Sequence, residues 1–319
     1  MKTHRIITDK LAQARQRGSC VFAANEAEGQ ALRRRVRAGE LANPYHGVFV
    51  DAQYWNTLNG TEQACHLARC LAERYPSWVF AGPTAAALYG FDHQWSIHRS
   101  GLYLASSVRS RSSSNGVHHI FMPSIPLCET QGVKVTSVSR TLVDCALILP
   151  FANALPIFDS AFRRGSCAAD GLRSLCAELH RDTSAADRVL QYVDPLSENG
   201  GESLARAVMI EEDFPVPQLQ RVFANPRNSR EWYRVDFAWQ FPGGYTVVAE
   251  YDGMAKYSDP AMTGRRSIQA VVNQQNDRER KLYEWGVNRI VRLSYDDVVQ
   301  RWPLVDKLTG AGLPRNIQA

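Results

Sequence analysis

Residues 250–256 read EYDGMAK and follow the apolar stretch GGYTVVA at 243–249. The apolar stretch predicts a strand that ends at Glu250 and Asp252 and turns at Gly253. Because side chains alternate along a strand, the two carboxylates point to the same side of the sheet. Two like charges this close repel each other unless a cation or a bound proton relieves them. The stretch therefore raises the question of a cation site in this part of the chain.

The composition is that of an ordinary globular protein with a mild basic excess. The chain has 319 residues, of which 45% are hydrophobic, and its formal net charge is +5. This length predicts two or three domains, and the charge is compatible with nucleic-acid binding without demonstrating it. No run of about 18 apolar residues is present, and the N-terminus lacks the apolar core of a signal peptide. We therefore expect a soluble, cytoplasmic protein that does not span a membrane.

The chain contains seven cysteines, and none forms a Cys-x-x-Cys pair. Most lie among apolar neighbours, as Cys145 does in LVDCALIL, which predicts reduced core residues. Cys65, His66 and Cys70 do not have the spacing of a zinc site, and no second ligand pair accompanies them. The cysteines agree with a reducing, cytoplasmic compartment.

Residues 1–55 predict a winged helix that binds DNA. We expect three helices followed by a hairpin, in which QALRRRVRAGEL at 30–41 is the third helix and LANPYHGVFVD at 41–51 is the wing. The third helix has a basic face, formed by Arg33, Arg34, Arg35 and Arg37. Such a helix can enter the major groove while the wing contacts phosphate. An ordinary solvated arginine face has the same pattern.

Residues 56–185 predict a middle domain of mixed α/β structure. The stretch TEQACHLARCLAERYP at 61–76 has helical periodicity, and strands are expected at 101–106 and 118–123 around a polar, basic loop. This region lacks a cluster of convergent chemical groups, so we interpret it as scaffold and interface. A linker that contains Gly200-Gly201 leads into a third domain.

The third domain, residues 195–319, brings three acidic positions together. Its pattern predicts a helix at 202–213, strands at 218–224, 232–240 and 244–252, a helix at 266–285, a strand at 287–294 and a short terminal helix. Glu202 opens the first helix, Asp236 lies in the second strand and Glu250 ends the third. A hairpin turn sets Asp236 and Glu250 on neighbouring strands, facing the same way. Clustered carboxylates suit Mg²⁺, which can activate water for attack on a phosphodiester, although acids at strand ends are often only solvated.

The order of Glu202, VDF around Asp236, EYDG at 250–253 and NDRERKLYEWGVNRIVRLSYDD resembles the PD-(D/E)XK nuclease fold. More narrowly, it is similar to the small nuclease-like domains related to very short patch repair endonucleases. The upstream stretches ALRRRVRAGELANPYHGVFV, TAAALYGF and VTSVSRTLVDCALILPFANALPIFDSAFRRG resemble abortive-infection antitoxins of the AbiEi type. The resemblance implies an α/β protein (α+β overall) with an N-terminal winged helix, a middle α/β domain and a C-terminal restriction-endonuclease-like mixed sheet flanked by helices.

The resemblance implies roles for matching positions. Glu202, Asp236 and Glu250 would hold Mg²⁺ or Mn²⁺ as metal ligands. Asp252 stands where the wider superfamily has a lysine that orients the attacking water, and Lys256 could supply a displaced ammonium group. Arg278, Arg280 and Lys281 would contact phosphate, unless they form a solvated helix face.

One further position departs from the pattern of relatives. These often have Glu-Lys about where this chain has Gln275-Asn276, and neutral amides at this place would reduce or abolish cleavage.

Three functions follow from these observations. The first is a Mg²⁺-dependent endonuclease that binds DNA, and the second is an autorepressor of the antitoxin kind with a degenerate nuclease domain and, in that context, a cognate toxin as partner. The third is an interaction scaffold without a nucleic-acid role.

Overall fold

The computed structural model describes residues 2–109, 116–252 and 268–316, with the side chains of 2–4 and 268–273 outside that description. The fold is a mixed α/β fold, as predicted. The chain divides into two compact units, of which the first comprises residues 1–161 and 165–191 and the second comprises residues 162–164 and 192–319. Within the described residues, no helix combines the length and the apolar character needed to cross a membrane. All seven cysteines are free, and five of them are buried.

The first unit begins with two helices and a small sheet. Its helices are α1 (Lys2–Gln16), α2 (Glu26–Arg37), α3 (Ala52–Thr57), α4 (Gly60–Arg74), α5 (Gly82–Tyr89), α6 (Val138–Ile148), α7 (Phe151–Arg163), α8 (Ala169–Glu178) and α9 (Ser184–Tyr192). Its strands are β1 (Val21–Phe22), β2 (Leu41–Tyr45), β3 (Val48–Asp51), β4 (Leu102–Ser106), β5 (Val117–Phe121), β6 (Leu127–Thr130) and β7 (Val133–Thr136). The end of α7 belongs to the second unit.

The prediction of three helices before the wing is wrong for the described residues 2–51, which contain two. Between α1 and α2 the chain forms the short strand β1 instead, and Val21 and Phe22 pair antiparallel with β3. A branched and an aromatic side chain suit a strand that packs on a small sheet. Asn25 then starts α2, because its side chain accepts a hydrogen bond from the Glu28 backbone amide. The predicted hairpin is confirmed, with β2 and β3 antiparallel.

The core of the first unit joins the N-terminal hairpin to the helices that follow it. Val48 and Val50 of β3 belong to the same buried cluster as Leu71 of α4 and Phe80. The predicted segments 1–55 and 56–185 therefore share one apolar core. Burial of these side chains removes apolar surface from water, which stabilises the packing of the two segments. The loop predicted between β4 and β5 includes residues 110–115, which lie outside the described residues.

The second unit is built around a four-stranded mixed sheet. Its elements are α10 (Gly200–Glu211), β8 (Gln218–Asn225), β9 (Asn228–Gln240), β10 (Thr246–Asp252), α11 (Ile268–Glu284), β11 (Arg289–Ser294), α12 (Tyr295–Gln300) and α13 (Trp302–Gly310). The strand order is β11-β10-β9-β8, with β10 parallel to β11 and antiparallel to β9. The predicted order of elements from the first helix to the last strand agrees with the structure, but two helices, α12 and α13, follow where one short terminal helix was predicted.

Strand β10 is one of the two inner strands of this sheet and is buried along almost its whole length. A continuous apolar run is typical of a strand covered on both faces. Helix α10 packs closely against β10: a Cβ added at Gly201 would overlap the Tyr251 ring. This close approach places Glu202, the next residue of α10, beside the end of β10 where the acidic positions lie.

Candidate functional site

The structure brings Glu202, Asp236 and Glu250 into one electrostatic neighbourhood of the second unit. Burial raises the pKa of Glu202 to about 7, with the charge of Asp236 adding to that rise. Burial also raises the pKa of Glu250, again with a contribution from Asp236, while Arg278 and Arg292 oppose the rise. The charge of Asp236 therefore affects the protonation of both glutamates.

Asp236 marks the place where strands β9 and β10 diverge. Backbone pairing between them continues to Ala249 and Phe237. Beyond that pair, the Asp236 Oδ2 atom accepts a hydrogen bond of 2.9 Å from the Tyr251 backbone amide. The carboxylate thus takes the place of a backbone acceptor, which satisfies an N–H group that the separating strands would leave unpaired.

Glu202 is fully engaged by hydrogen-bond donors of its own surroundings. Its carboxylate accepts from the Glu198 backbone amide at 2.9 Å, the Asn199 side-chain amide at 2.6 Å and the Gln220 side-chain amide at 3.1 Å. Asn199 caps α10, so Glu202 also belongs to the polar cap of this helix. A structural role at the start of the helix explains this acid as well as a ligand role would.

Glu250 is neutralised by arginines from α11 and β11. Its Oε1 atom lies 2.6 Å from Arg278 Nη2, and its Oε2 atom lies 3.6 Å from Arg292 Nη2. The approach of Arg278 to Oε1 lacks the angle of a hydrogen bond, so Oε1 is buried without a hydrogen-bond partner. The repulsion expected among the acids is thus relieved by guanidinium groups that the chain itself supplies.

Arg292 is the centre of this network, and it was not among the site residues predicted from the sequence. It lies opposite Glu250 in the parallel register of β10 and β11, 3.1 Å from Asp252 and 2.8 Å from Glu279. The Gln275 side-chain oxygen, in the amide orientation that satisfies its surroundings, accepts from Arg292 at 2.8 to 3.0 Å. The signal in the sequence was an arginine between Val291 and Leu293, since a charge in a buried strand needs a partner.

The acidic residues do not fit a Mg²⁺ ion as the chain arranges them. Across the described ranges 2–109, 116–252 and 268–316, no group of three or more His, Cys, Asp or Glu side chains is placed to hold a metal. The oxygens of Glu202 face N–H donors, and Arg278 occupies the side of Glu250 that faces α11. Lys256, predicted to assist catalysis, lies outside the described residues.

The predicted phosphate contacts of α11 have partners within the protein. Arg278 donates to the Arg234 backbone carbonyl at 2.6 Å in addition to its pair with Glu250. Arg280 pairs with Asp277 on the same helix. Lys281 lies 2.5 Å from Glu231 on β9. Arg278 and Lys281 therefore link α11 to the sheet, whereas the pair of Arg280 lies within the helix and Arg280 is the most exposed of the three.

The basic face of α2 in the first unit divides into two pairs of arginines. Arg33 pairs with Glu26 at 2.5 Å, and Arg35 pairs with Glu40 at 2.7 Å. Arg34 and Arg37 are exposed and form no ion pair with the part of the chain that the structure describes. Of the four arginines predicted to bind DNA, these two present uncompensated charge next to the β2–β3 hairpin.

Fold and site together define a mixed α/β protein with an exposed basic helix in one unit and an arginine-neutralised acidic cluster in the other. "Uncharacterized protein Rv2248" of Mycobacterium tuberculosis (strain ATCC 25618 / H37Rv) is 33% identical to it over 278 residues, which is 84% of this chain and 91% of that protein. "Uncharacterized protein MT2308" of strain CDC 1551 / Oshkosh has the same identity and coverage. The chain belongs to the family of these mycobacterial proteins. No protein-family model matches the chain, and no solved structure matches it.

Proposed function

We propose that the chain is a DNA-binding transcriptional regulator of the antitoxin kind, with a C-terminal domain that is nuclease-like in architecture but degenerate in its acidic site. The observation that carries this proposal is the arginine network, in which Arg278 lies 2.6 Å from Glu250 and Arg292 joins Glu250 to Asp252. Guanidinium groups at these positions supply the positive charge that a catalytic metal would otherwise bring.

The N-terminal segment supports DNA contact. Helix α2 presents Arg34 and Arg37 without acidic partners among the described residues, and the β2–β3 hairpin follows directly. A basic helix can lie in the major groove while an adjacent hairpin contacts the backbone. Charges that are already paired, such as Arg33 and Arg35, contribute less because the pair must open before phosphate binds.

The contacts of Gln275 support the proposal that the acidic site is degenerate. Its neutral oxygen faces Arg292, which also binds Glu250 and Asp252. The Gln275 amide is neutral, so it accepts hydrogen bonds from Arg292 without competing with Glu250 and Asp252 as a third negative charge would. This agrees with the replacement of the charged pair that resembling nucleases often carry at this place.

A metal-dependent endonuclease is the second candidate, and two observations favour it. The Asp236 charge raises the pKa of both Glu202 and Glu250, so the three acids interact electrostatically. Glu250 Oε1 is buried and lacks a hydrogen bond of good geometry, so a metal ion that displaced Arg278 from its position 2.6 Å away could bind this oxygen. This candidate requires Arg278 to move away from Glu250 when Mg²⁺ or Mn²⁺ binds.

Two assays on the full chain decide between the candidates. The first is a gel shift on the DNA upstream of its own gene, at several salt concentrations. We expect the Arg34→Ala/Arg37→Ala variant to bind this DNA at least about tenfold more weakly. The slope of the logarithm of the binding constant against the logarithm of the salt concentration should become less steep by about two. Arg173→Ala, an exposed arginine of α8, is the matched control and should bind as wild type does.

The second assay incubates supercoiled plasmid with Mg²⁺ or Mn²⁺, beside the Asp236→Ala variant. DNA binding without nicking supports the regulator. Metal-dependent nicking that Asp236→Ala loses overturns the degenerate site and supports the endonuclease. Wild-type protein that fails to shift DNA even at low salt overturns both candidates and leaves an interaction scaffold.

A further inference from the structure

The first unit contains a cavity of about 600 Å³ that neither proposed function uses. It lies between the parallel strands β4 and β5, the start of α6 and the end of α8. Its lining combines cationic, imidazole and apolar side chains, among them Tyr103, Arg109, His118, Ile120, Arg140 and Arg181. A volume of several hundred Å³ is typical of a site for a small organic molecule.

Arg140 is the feature that points to a ligand. Its side chain is 6% exposed, and its Nε atom lies 3.0 Å from both carboxylate oxygens of Asp144. Neither of its Nη nitrogens has a hydrogen-bond partner among the described residues, and the side chain lines the cavity. These two nitrogens remain accessible from the cavity, so an anion that enters it can accept hydrogen bonds from them while the rest of the Arg140 side chain stays buried.

Asp144 fixes the orientation of this guanidinium group. Both residues lie on α6, four positions apart, and the Asp144 side chain is 1% exposed. Because the Asp144 carboxylate holds Nε, the orientation of the two Nη nitrogens is already fixed. A ligand in the cavity can therefore bind them without a further loss of side-chain freedom. Such a planar, pre-oriented edge matches the oxygens of phosphate, which arginine often binds in a bidentate manner.

The charge balance of the cavity also favours an anion. Three arginines line it, whereas Glu178 is the one carboxylate among its lining residues. Arg181 and Arg109 are exposed, so they are free to approach a bound group. Arg109 also lies 4.8 Å from the centre of the Phe121 ring.

The remaining lining suits the body of a nucleotide-sized ligand. The rings of Tyr103 and His118 stack with their centroids 4.9 Å apart, and Ile120, Ile148 and Leu179 provide apolar surface. Aromatic rings and apolar side chains bind the flat face of a base, while the guanidinium groups bind phosphate. We propose that this cavity binds a phosphate ester of about mononucleotide size, through Arg140 and Arg181.

Isothermal titration of the full chain with adenosine 5′-monophosphate, inorganic phosphate and adenosine tests this proposal. We expect saturable binding of adenosine 5′-monophosphate, weaker binding of phosphate and no binding of adenosine. The Arg181→Ala variant keeps the buried Arg140–Asp144 pair and should weaken binding of the nucleotide at least about tenfold. Arg173→Ala, on α8 but outside the cavity lining, should change it less than about twofold.

Three results would overturn the proposal. The first is the absence of saturable nucleotide binding at concentrations up to about 10 mM. The second is an equal loss of affinity in Arg181→Ala and Arg173→Ala, which would indicate a general charge effect. The third is Arg181-dependent binding of a single-stranded oligonucleotide without binding of the mononucleotide, because the cavity would then be part of a polymer-binding surface.

Discussion

Arg278 of α11 lies 2.6 Å from Glu250 of β10, so a cation of the chain itself lies beside this acid near the end of an inner strand. Arg292 of β11 adds a second guanidinium group to the same carboxylate at 3.6 Å. Burial raises the pKa of Glu250, and both arginines oppose that effect. The acidic cluster is thus held together by internal ion pairs, and these pairs determine how it responds to mutation, pH and metal.

Removal of Arg292 should destabilise the second unit. We expect Arg292→Gln to lower the free energy of unfolding by about 1–3 kcal/mol, because Glu250, Asp252 and Glu279 lose a common partner. The loss should be larger at about pH 8 than at about pH 5, since Glu250 without this cation can take up a proton in acid. Urea unfolding at the two pH values measures both effects.

Arg280→Gln is the matched control for this variant. Its side chain is two-thirds exposed, and its pair with Asp277 lies within α11. A solvent-screened pair of this kind contributes little, so the control should unfold close to wild type at both pH values. Equal losses in Arg292→Gln and Arg280→Gln would contradict a special role for Arg292.

Glu202 should make the stability of the second unit depend on pH. Burial, the charge of Asp236 and that of Glu198 raise its pKa from 4.5 to about 7 in the folded state. The folded state therefore keeps a proton between these values that the unfolded chain has released. Stability should fall as pH rises from about 4.5 to about 7, by on the order of 2 kcal/mol.

Hydrogen exchange of the peptide 246–252 in the full chain follows this effect at the site itself. The Glu202→Gln variant, which cannot titrate at this position, should have a weaker dependence on pH. If Mg²⁺ binds among the acids, its stabilising effect should grow as pH rises through about 7, because the ion must displace the proton. Identical pH profiles for wild type and Glu202→Gln would contradict the assignment of the proton to Glu202.

The sequence predicted much of the second unit because its strands have simple patterns. An apolar run followed by Glu250 and Asp252 located β10, and both acids contact Arg292, as their two-residue spacing implies. Arg292 itself was missed because its contact with Asp252 spans 40 positions of sequence. That contact depends on the parallel register of β10 and β11, which no local pattern specifies.

The N-terminal region illustrates the opposite case. The hairpin was predicted from the turn residues Asn43-Pro44 and His46-Gly47, and Gly47 does have a positive φ of 74°. Three helices were expected before the hairpin, but between the two helices that form, Val21 and Phe22 pair with β3 as a short strand. Such pairing is a tertiary preference, and it overrides the weak helical tendency of a short connector.

Gly201 should be necessary for the packing of α10 on β10. A Cβ atom at this position would overlap the ring of Tyr251. We expect Gly201→Ala to lower the free energy of unfolding by about 1–3 kcal/mol, since either the ring or the helix must move. Thermal unfolding measures the loss.

Gly310→Ala is the matched control within the same unit. Gly310 ends α13, and a Cβ atom there would meet no other atom within 4 Å. This variant should be neutral or slightly stabilising, because alanine loses less backbone freedom than glycine on folding. A loss in Gly310→Ala equal to that in Gly201→Ala would mean that the effect comes from the helix backbone and not from Tyr251.

The buried Arg140–Asp144 pair of the first unit should behave as one unit of stability. Burial raises the pKa of Asp144 to about 6, and Arg140 opposes that rise. Arg140→Met removes the opposing cation and should cost about 3–5 kcal/mol near neutral pH, because a carboxylate stays buried without a partner. The cost should shrink as pH falls toward about 4, where the folded state can hold the proton.

The double variant Arg140→Met/Asp144→Leu separates the pair from its surroundings. Both charges are then absent, and apolar side chains of similar size fill the space, so most of the lost stability should return. Urea unfolding of the wild type, both single variants and the double variant gives the coupling energy of the pair. If the double variant were as unstable as Arg140→Met alone, packing around α6 would be responsible for the loss, and the unpaired charge of Asp144 would not.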